Sequence, residues 1–165
     1  TKIYDTIQSG ANYKNNSSQK EGFHMTENTL NIDTKKVFEF TKTLTADDVE
    51  SFAESSGDTQ PLHLDDDMAG KSRFKKRIAH GILTAGIISA AIGTKVAPGQ
   101  VVIYMGQSLK FLAPVYLGDS VTAKLSVISI NVPRRLVTLK ASVVNQKGEE
   151  VLTGQSEVMV EPYEE

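Results

Sequence analysis

Two side chains that can carry protons, those of Asp58 and His63, lie five residues apart in the segment Ser55–Asp65. Pro61 stands between them. Because its ring fixes its own φ and biases the preceding residue towards an extended backbone, the two side chains flank a stiff, non-helical bend. A carboxylate and an imidazole placed in this way are candidates to hold one water molecule and move its proton.

An apolar segment, His80–Gly93, follows the bend. It is apolar on all sides, which predicts a helix enclosed by other structure. Its fourteen residues would span about 21 Å, which is too short to cross a bilayer. The first N–H groups of a helix are unpaired and lie at the positive end of its dipole, so the N–H of Gly81 could stabilise charge on a ligand oxygen. An acid, a base and this donor are the parts needed to move a proton beside a polarised carbonyl group.

Strands and one short helix must position these groups. Thr45 and Asp48 predict a capped start for a helix that ends at Gly57, which places Asp58 at the helix exit. Alternation of apolar and polar residues predicts one strand before the bend and four after the apolar helix: Lys36–Leu44, Val101–Leu112, Asp119–Asn131, Leu136–Asn145 and Glu149–Val160. The expected fold is therefore α+β, with one long, mostly antiparallel sheet curled around one buried helix.

The composition is that of one globular domain and excludes several classes of protein. The chain has 165 residues, of which 39% are apolar and 23% charged. A net charge of -2 without Trp argues against nucleic-acid binding. The absence of Cys excludes disulfides, thiolate nucleophiles and Cys-ligated metals. No apolar run predicts a membrane span and no secretory signal is recognised, so the cytoplasm is the expected location, with an organellar lumen left open.

The first 33 residues differ from the rest of the chain. Residues 1–33 are rich in Asn, Ser, Lys, Gln and Thr, which is typical of an extension outside a folded core. Met25 is a candidate native start behind a leader, and His24 is expected to be exposed to solvent. We therefore expect a polar N-terminal extension over 1–33 and a single domain over 34–165.

Four blocks of sequence carry a resemblance to a known family. They are Gly57–Asp65, Ile78–Gly81, Tyr104–Phe111 and Pro114–Asp119. In residue type, order and spacing they resemble the MaoC-like (R)-specific enoyl-CoA hydratases and 3-hydroxyacyl-thioester dehydratases, over roughly residues 36–160. Four ordered blocks are much more specific than a single Asp-to-His spacing.

The resemblance implies a hot-dog fold, in which the sheet wraps around the apolar helix. It also implies a homodimer or higher homo-oligomer whose sheets join edge to edge. The implied reaction is that of a lyase of fatty acid metabolism, the reversible hydration of a trans-2-enoyl thioester to the (3R)-3-hydroxyacyl thioester. Neither a metal nor a separate cofactor is expected, because coenzyme A or a phosphopantetheine arm enters as part of an acyl-CoA or acyl-carrier-protein substrate.

The same resemblance implies roles for single residues. Asp58 and His63 fall on the catalytic acid/base pair. The backbone N–H of Gly81 falls on the oxyanion donor, and Ser89 falls on a serine that lines the site. Gln60 departs from the family, which usually has an Asn that helps to order the catalytic loop. Because Gln keeps the same donor and acceptor groups on a longer side chain, the departure bears on rate and substrate positioning more than on reaction type.

Five residues have structural alternatives. Asp58 is also typical of a helix exit or turn, and His63 of a capping or core histidine, but the helix and strand blocks favour the catalytic interpretation of both. His80 competes with His63 as the base and is also a candidate substrate contact, but its position just before the helix is equally typical of packing. Ser89, inside an apolar helix, could bond back to a carbonyl group rather than face substrate. Asp65 is interpreted as a local helix cap rather than a catalyst.

A basic run precedes the helix that bears the predicted oxyanion donor. Its cations could pair with phosphates of coenzyme A or phosphopantetheine, or dock an acidic acyl carrier protein. The alternative is a solvated loop, as for most charge runs. The run comprises Lys71, Arg73, Lys75, Lys76 and Arg77.

Two other functions are alternatives to the hydratase interpretation. Hot-dog thioesterases use a carboxylate on or near the helix, whereas His80–Gly93 contains no Asp or Glu. A non-catalytic acyl-thioester-binding or dimerisation module would need neither Asp58 nor His63, and Gln60 alone favours it.

Overall fold

Five strands and four α-helices make up the described part of the chain. The structure, a computed structural model, describes residues 30–163. The helices are α1 (Ala46–Ser56), α2 (Pro61–Leu64), α3 (Asp66–Lys71) and α4 (Gly81–Ala91), and α4 continues into a π-helical turn, Ile92–Val96. The strands are β1 (Val37–Thr43), β2 (Val101–Phe111), β3 (Ser120–Asn131), β4 (Leu136–Asn145) and β5 (Glu150–Glu161).

The strands form one antiparallel sheet in the order β1-β3-β4-β5-β2. All five predicted strands are confirmed, each within one residue at either end. The period-2 pattern succeeds because one face of the sheet is buried, as on β3, where Val121, Ala123 and Leu125 are fully enclosed. Strands β1 and β2 are the two edges of the sheet. Within residues 30–163, no helix has the length and apolar character needed to span a membrane.

Helix α4 packs against the inner face of this sheet, next to β1 and β3. Ile87, Ile88 and Ala91 are buried on its sheet side. The prediction that the helix is buried on all sides holds only for its sheet side. On the opposite side Ile82 is 58% exposed, and its neighbours on that face are also open. The open face borders the edge strand β2.

The packed core includes residues that precede the expected start of the domain. Leu30 and Ile32 are 1% and 3% exposed, and Nε2 of Gln100 donates to the carbonyl oxygen of Leu30 at 2.7 Å. The division between residues 33 and 34 stays a prediction, and His24 and Met25 lie outside the described residues.

Helix α1 begins and ends as its sequence predicts, which fixes the position of Asp58. The Thr45 hydroxyl accepts the N–H of Asp48 at 3.2 Å, and the Asp48 carboxylate accepts the N–H of Thr45 at 3.0 Å. This backbone N–H holds the pKa of the Asp48 carboxyl below its usual range. Gly57 ends the helix with a φ of 79°, a left-handed conformation that favours glycine. The chain then passes directly into Asp58.

Gly154 on β5 is expected to tolerate no side chain. A Cβ there would lie 1.9 Å from the carbonyl oxygen of Ser108 on β2, a backbone atom that cannot rotate away. Overpacking costs roughly 1–3 kcal/mol, and we expect Gly154→Ala to lower the free energy of unfolding by about 3 kcal/mol or more. Urea unfolding measures the change. Gly106→Ala on β2 is the matched control, because a Cβ there meets nothing within 4 Å. Equal stability of the two variants would contradict the β2–β5 packing.

Candidate active site

The bend between α1 and α2 holds the backbone of Asp58 in place and leaves its carboxylate exposed. The N–H of Asp58 donates to Oγ of Ser56 at 3.2 Å, and its Oδ1 accepts the N–H of Gln60 at 3.4 Å. The side chain of Asp58 is exposed. It lines a space that we call the acid cavity, together with Phe52, Ser56, His80, Gly81, Ile82 and Phe111. The carboxylate is therefore accessible to water and to a ligand.

His63 lies on α2 and is buried, with 8% of its surface exposed. Its Nδ1 lies 2.8 Å from the carbonyl oxygen of Ile78. Because a carbonyl oxygen can only accept, Nδ1 carries the proton and Nε2 keeps its lone pair. The ring borders a second space, which we call the base cavity, lined also by Arg73, Phe74, Gly81, Thr84 and Phe111. In the neutral ring, Nε2 is therefore the nitrogen that can accept a proton.

His80 lies against both of these residues and is 2% exposed. Its Nε2 donates to the carbonyl oxygen of Asp58 at 3.0 Å. Its ring stacks on that of His63, with the ring centroids 3.9 Å apart, and contacts the ring of Phe52 at 4.8 Å. Nδ1 is enclosed and has no hydrogen-bond partner within residues 30–163. Because neither nitrogen is open to a ligand, this geometry argues against His80 as the base.

Asp58, His63 and His80 form one cluster that is compact enough for a single water molecule to contact two of its polar atoms. One ligand atom from each of Asp58, His63 and His80 lies within 4.8 Å of the others. A water that is hydrogen bonded to two groups at about 2.8 Å bridges a gap of roughly 4.5 Å. The carboxylate and the imidazole of His63 can therefore grip one water from two sides. Metal ions also bind such residues, but two stacked imidazole rings direct their lone pairs along their own planes rather than to one shared point.

Gly81 is the first residue of α4, and its N–H has no partner inside the helix. It lines both the acid cavity and the base cavity. A Cβ at Gly81 would lie 2.9 Å from Cε1 of Phe111, so the missing side chain allows that ring to pack closely. An N–H at this position suits the predicted oxyanion donor, because it lies next to both proton-transferring residues.

Ser89 and Gln60 occupy different places relative to the cluster. Ser89 is exposed and lines a third space with Ile82, Ala85, Gly86, Tyr104 and Gln107, so the structure does not bring it to Asp58 and His63. Gln60 is the residue before α2, and its side chain makes no capping hydrogen bond. Its backbone orders the bend, because its carbonyl oxygen accepts the N–H of His63 at 3.0 Å.

The basic run is divided between two environments. Arg73 lines the base cavity, and its guanidinium lies 4.8 Å from the ring centroid of Phe74. Arg77 is paired with Asp66 at 3.1 Å and with Glu50 at 3.9 Å. Lys71, Lys75 and Lys76 are exposed.

Sequence patterns missed two contributors to the site, the carbonyl oxygen of Ile78 and the ring of Phe111. A backbone acceptor has no sequence signature, although Ile78 opens one of the four recognised blocks. Phe111 ends β2 and is 50% exposed. Alternation along β2 predicts the face of the sheet on which Phe111 lies. The contact of its ring with Gly81 depends on tertiary packing and has no sequence signal.

Comparison with known proteins links this site to one family. A sequence model described as a MaoC-like domain matches residues 27–148. An (R)-specific enoyl-CoA hydratase of Rhodospirillum rubrum is 44% identical over 119 residues, which are 72% of this chain and 81% of the relative. A 3-hydroxybutyryl-CoA dehydratase of Methylorubrum extorquens is 41% identical over 124 residues, 75% of this chain and 78% of the relative. The unliganded R-hydratase PhaJ1 from Pseudomonas aeruginosa superposes with a TM-score of 0.71 at 42% identity, covering 78% of this chain and 81% of that one.

The two buried histidines are expected to hold opposite tautomers. Because His63 donates through Nδ1 and His80 through Nε2, ¹⁵N–¹H correlation spectra at pH about 8, where imidazoles are ordinarily neutral, should show one ring of each kind. The variants His63→Gln and His24→Gln assign the signals. An Nε2–H tautomer at His63 would contradict its orientation as a base.

Proposed function

The chain belongs to the MaoC-like domain family, and we propose that it catalyses the reversible hydration of trans-2-enoyl thioesters to (3R)-3-hydroxyacyl thioesters. It is a hydro-lyase with the hot-dog fold, like the hydratases and dehydratases to which it is similar. The observation that carries the assignment of residues is the clustering of polar atoms of Asp58 and His63 within 4.8 Å, beside an N–H of Gly81 that has no hydrogen-bond partner inside its helix.

Asp58 and His63 activate the attacking water. The water lies between the carboxylate and Nε2 of His63, which takes one of its protons while the oxygen bonds to the β carbon of the enoyl group. The electron pair of the carbon–carbon double bond moves towards the thioester oxygen as an enolate. The Asp58–His63 pair then delivers a proton to the α carbon, so that water adds across one face. Each proton transfer of this kind contributes about 10²–10⁴-fold.

The N–H of Gly81 stabilises the enolate. Charge develops on the thioester oxygen between the two proton transfers, and the start of α4 offers an unpaired donor and the positive end of a helix dipole. Removing one such donor typically costs about 10²–10³-fold in rate. The proposal needs no metal or separate cofactor, because the thioester itself polarises the double bond.

The thioester arm is proposed to leave through the base cavity. Arg73 lies at this cavity, and its exposed guanidinium can pair with a phosphate of coenzyme A or phosphopantetheine. Lys75 and Lys76 add positive charge nearby, whereas Arg77 is already engaged by two carboxylates. An acidic acyl carrier protein would meet the same charges. We therefore assign phosphate recognition to Arg73 first.

A second copy of the chain is the proposed partner at the sheet edge. Among residues 30–163, strand β2 is an edge strand, and the backbone groups on its outer side can pair with another strand. Tyr104, Phe111 and Leu112 on and next to β2 are partly exposed, at 37%, 50% and 45%. An edge-to-edge homodimer would cover them. The cytoplasmic location stays a prediction.

Substitution of the proposed acid and base should abolish hydration. With crotonyl-CoA, loss of the enoyl-thioester absorbance is expected for the unaltered chain, and Asp58→Asn and His63→Ala should each lower kcat by about 10²-fold or more, because each removes a proton-transfer step. Asp67→Asn is the matched control, since this exposed carboxylate on α3 lines neither cavity.

The product decides between the rival functions. A hydratase leaves the thioester intact, whereas release of free thiol would identify a thioesterase. If crotonyl, octenoyl and carrier-linked enoyl thioesters all remain unchanged, the binding-module interpretation replaces the proposal, and Gln60→Asn becomes the next variant to assay.

Neutralising Arg73 should weaken substrate binding in a salt-dependent way. A phosphate pair worth about 1 kcal/mol corresponds to about a fivefold rise in KM for Arg73→Ala at low ionic strength. Added salt screens the interaction, so the KM of Arg73→Ala divided by the KM of the unaltered chain should fall towards one. Lys140→Ala, on β4 and away from both cavities, serves as the control. A KM ratio that is unaffected by salt would remove Arg73 from phosphate recognition.

A further inference from the structure

The ring of His80 takes no part in the proton transfers described above, yet it is one of the few buried polar side chains among residues 30–163. It is 2% exposed, and one of its nitrogens has no partner. A buried nitrogen without a partner costs free energy, so packing alone does not account for an imidazole at this position. The other nitrogen indicates what the ring does.

His80 connects the acid to the base. Its Nε2–H donates to the backbone carbonyl oxygen of Asp58, while its ring stacks on His63 at 3.9 Å. Phe52 of α1 contacts the ring of His80 at 4.8 Å. One side chain therefore restrains the backbone that carries the carboxylate and the plane of the imidazole that accepts the proton.

The segment that carries His80 is itself anchored to the rest of the fold. The N–H of Ala79 donates to the carbonyl oxygen of Val115 at 2.8 Å, and Ile78 forms an isolated bridge with Tyr116. The carbonyl oxygen of Ile78 also accepts the hydrogen bond from Nδ1 of His63. Movement of the bend relative to α4 would have to break the contacts of His80.

We propose that His80 is a positioning residue that sets the separation of Asp58 and His63 at the distance one water bridges. The effect on turnover depends on the proposed hydratase function, whereas the effect on the bend does not. A misplacement of about 1 Å can cost roughly 10²-fold in rate, so the contribution of His80 is expected in kcat rather than in KM.

Two substitutions separate the contacts of His80. His80→Phe keeps a ring against His63 and removes the donor to Asp58, whereas His80→Gln keeps an N–H near the position of Nε2 and removes the ring. We expect kcat for crotonyl-CoA to fall about 10–100-fold in His80→Phe, with KM changed less than about threefold. His80→Gln should recover part of the loss. Ile88→Val, a buried change on α4, the helix that follows His80, controls for a general loss of stability.

Hydrogen–deuterium exchange gives a readout that needs no turnover. Peptides covering residues 54–63 should exchange faster in His80→Phe than in the unaltered chain, because the bend has lost its anchor, and His80→Gln should restore slow exchange. Peptides from β3 and β4 should stay unchanged in both variants. Ile88→Val should alter neither kcat nor the exchange of residues 54–63, even where it lowers the melting temperature.

Each outcome decides the inference. Unchanged kcat and unchanged exchange in His80→Phe would overturn it. A loss of kcat as large as that of Asp58→Asn, with normal exchange of the bend, would also overturn it and make His80 a catalytic residue. If the unaltered chain hydrates no enoyl thioester, the proposed function fails, and the positioning role is then decided by the exchange of residues 54–63 alone.

Discussion

The hydrogen bond from Nδ1 of His63 to the carbonyl oxygen of Ile78 is the constraint on which the site depends. It leaves the lone pair on Nε2, and without that lone pair the imidazole cannot take a proton from water. It also ties α2 to the segment before α4, although the two are separated by a loop and a short helix. Because Gly81 starts α4 only three residues after Ile78, the same segment fixes the proposed base and the proposed oxyanion donor relative to each other.

The acid and the base differ in their access to water. Asp58 is exposed at the exit of α1, whereas His63 is 8% exposed and covered by His80. The carboxylate can exchange water with solvent, and the imidazole keeps one orientation because packing and a backbone carbonyl hold it. In the proposed mechanism, the pair therefore combines a supply of the reacting water with a fixed direction of proton transfer.

Sequence patterns predicted the parts of the fold in which local chemistry decides the structure. The strands follow from alternation because one face of the sheet is buried, and α1 follows from the capping residues Thr45 and Asp48. The convergence of Asp58 and His63 is supported by the bend at Pro61, but their connection through His80 is a contact across 22 residues. The pairing of Arg77 with Glu50 is likewise long-range. Such contacts depend on how the elements pack and leave no periodic signal in the chain.

The contact between Phe111 and Gly81 joins the reaction centre to the edge of the sheet. Phe111 belongs to β2, so a strand that pairs with that edge would lie close to the proposed oxyanion donor. If the edge is completed by a second copy of the chain, each centre is finished only after two molecules have met. Specific activity would then depend on protein concentration, because dilution would raise the fraction of molecules whose centre is unfinished.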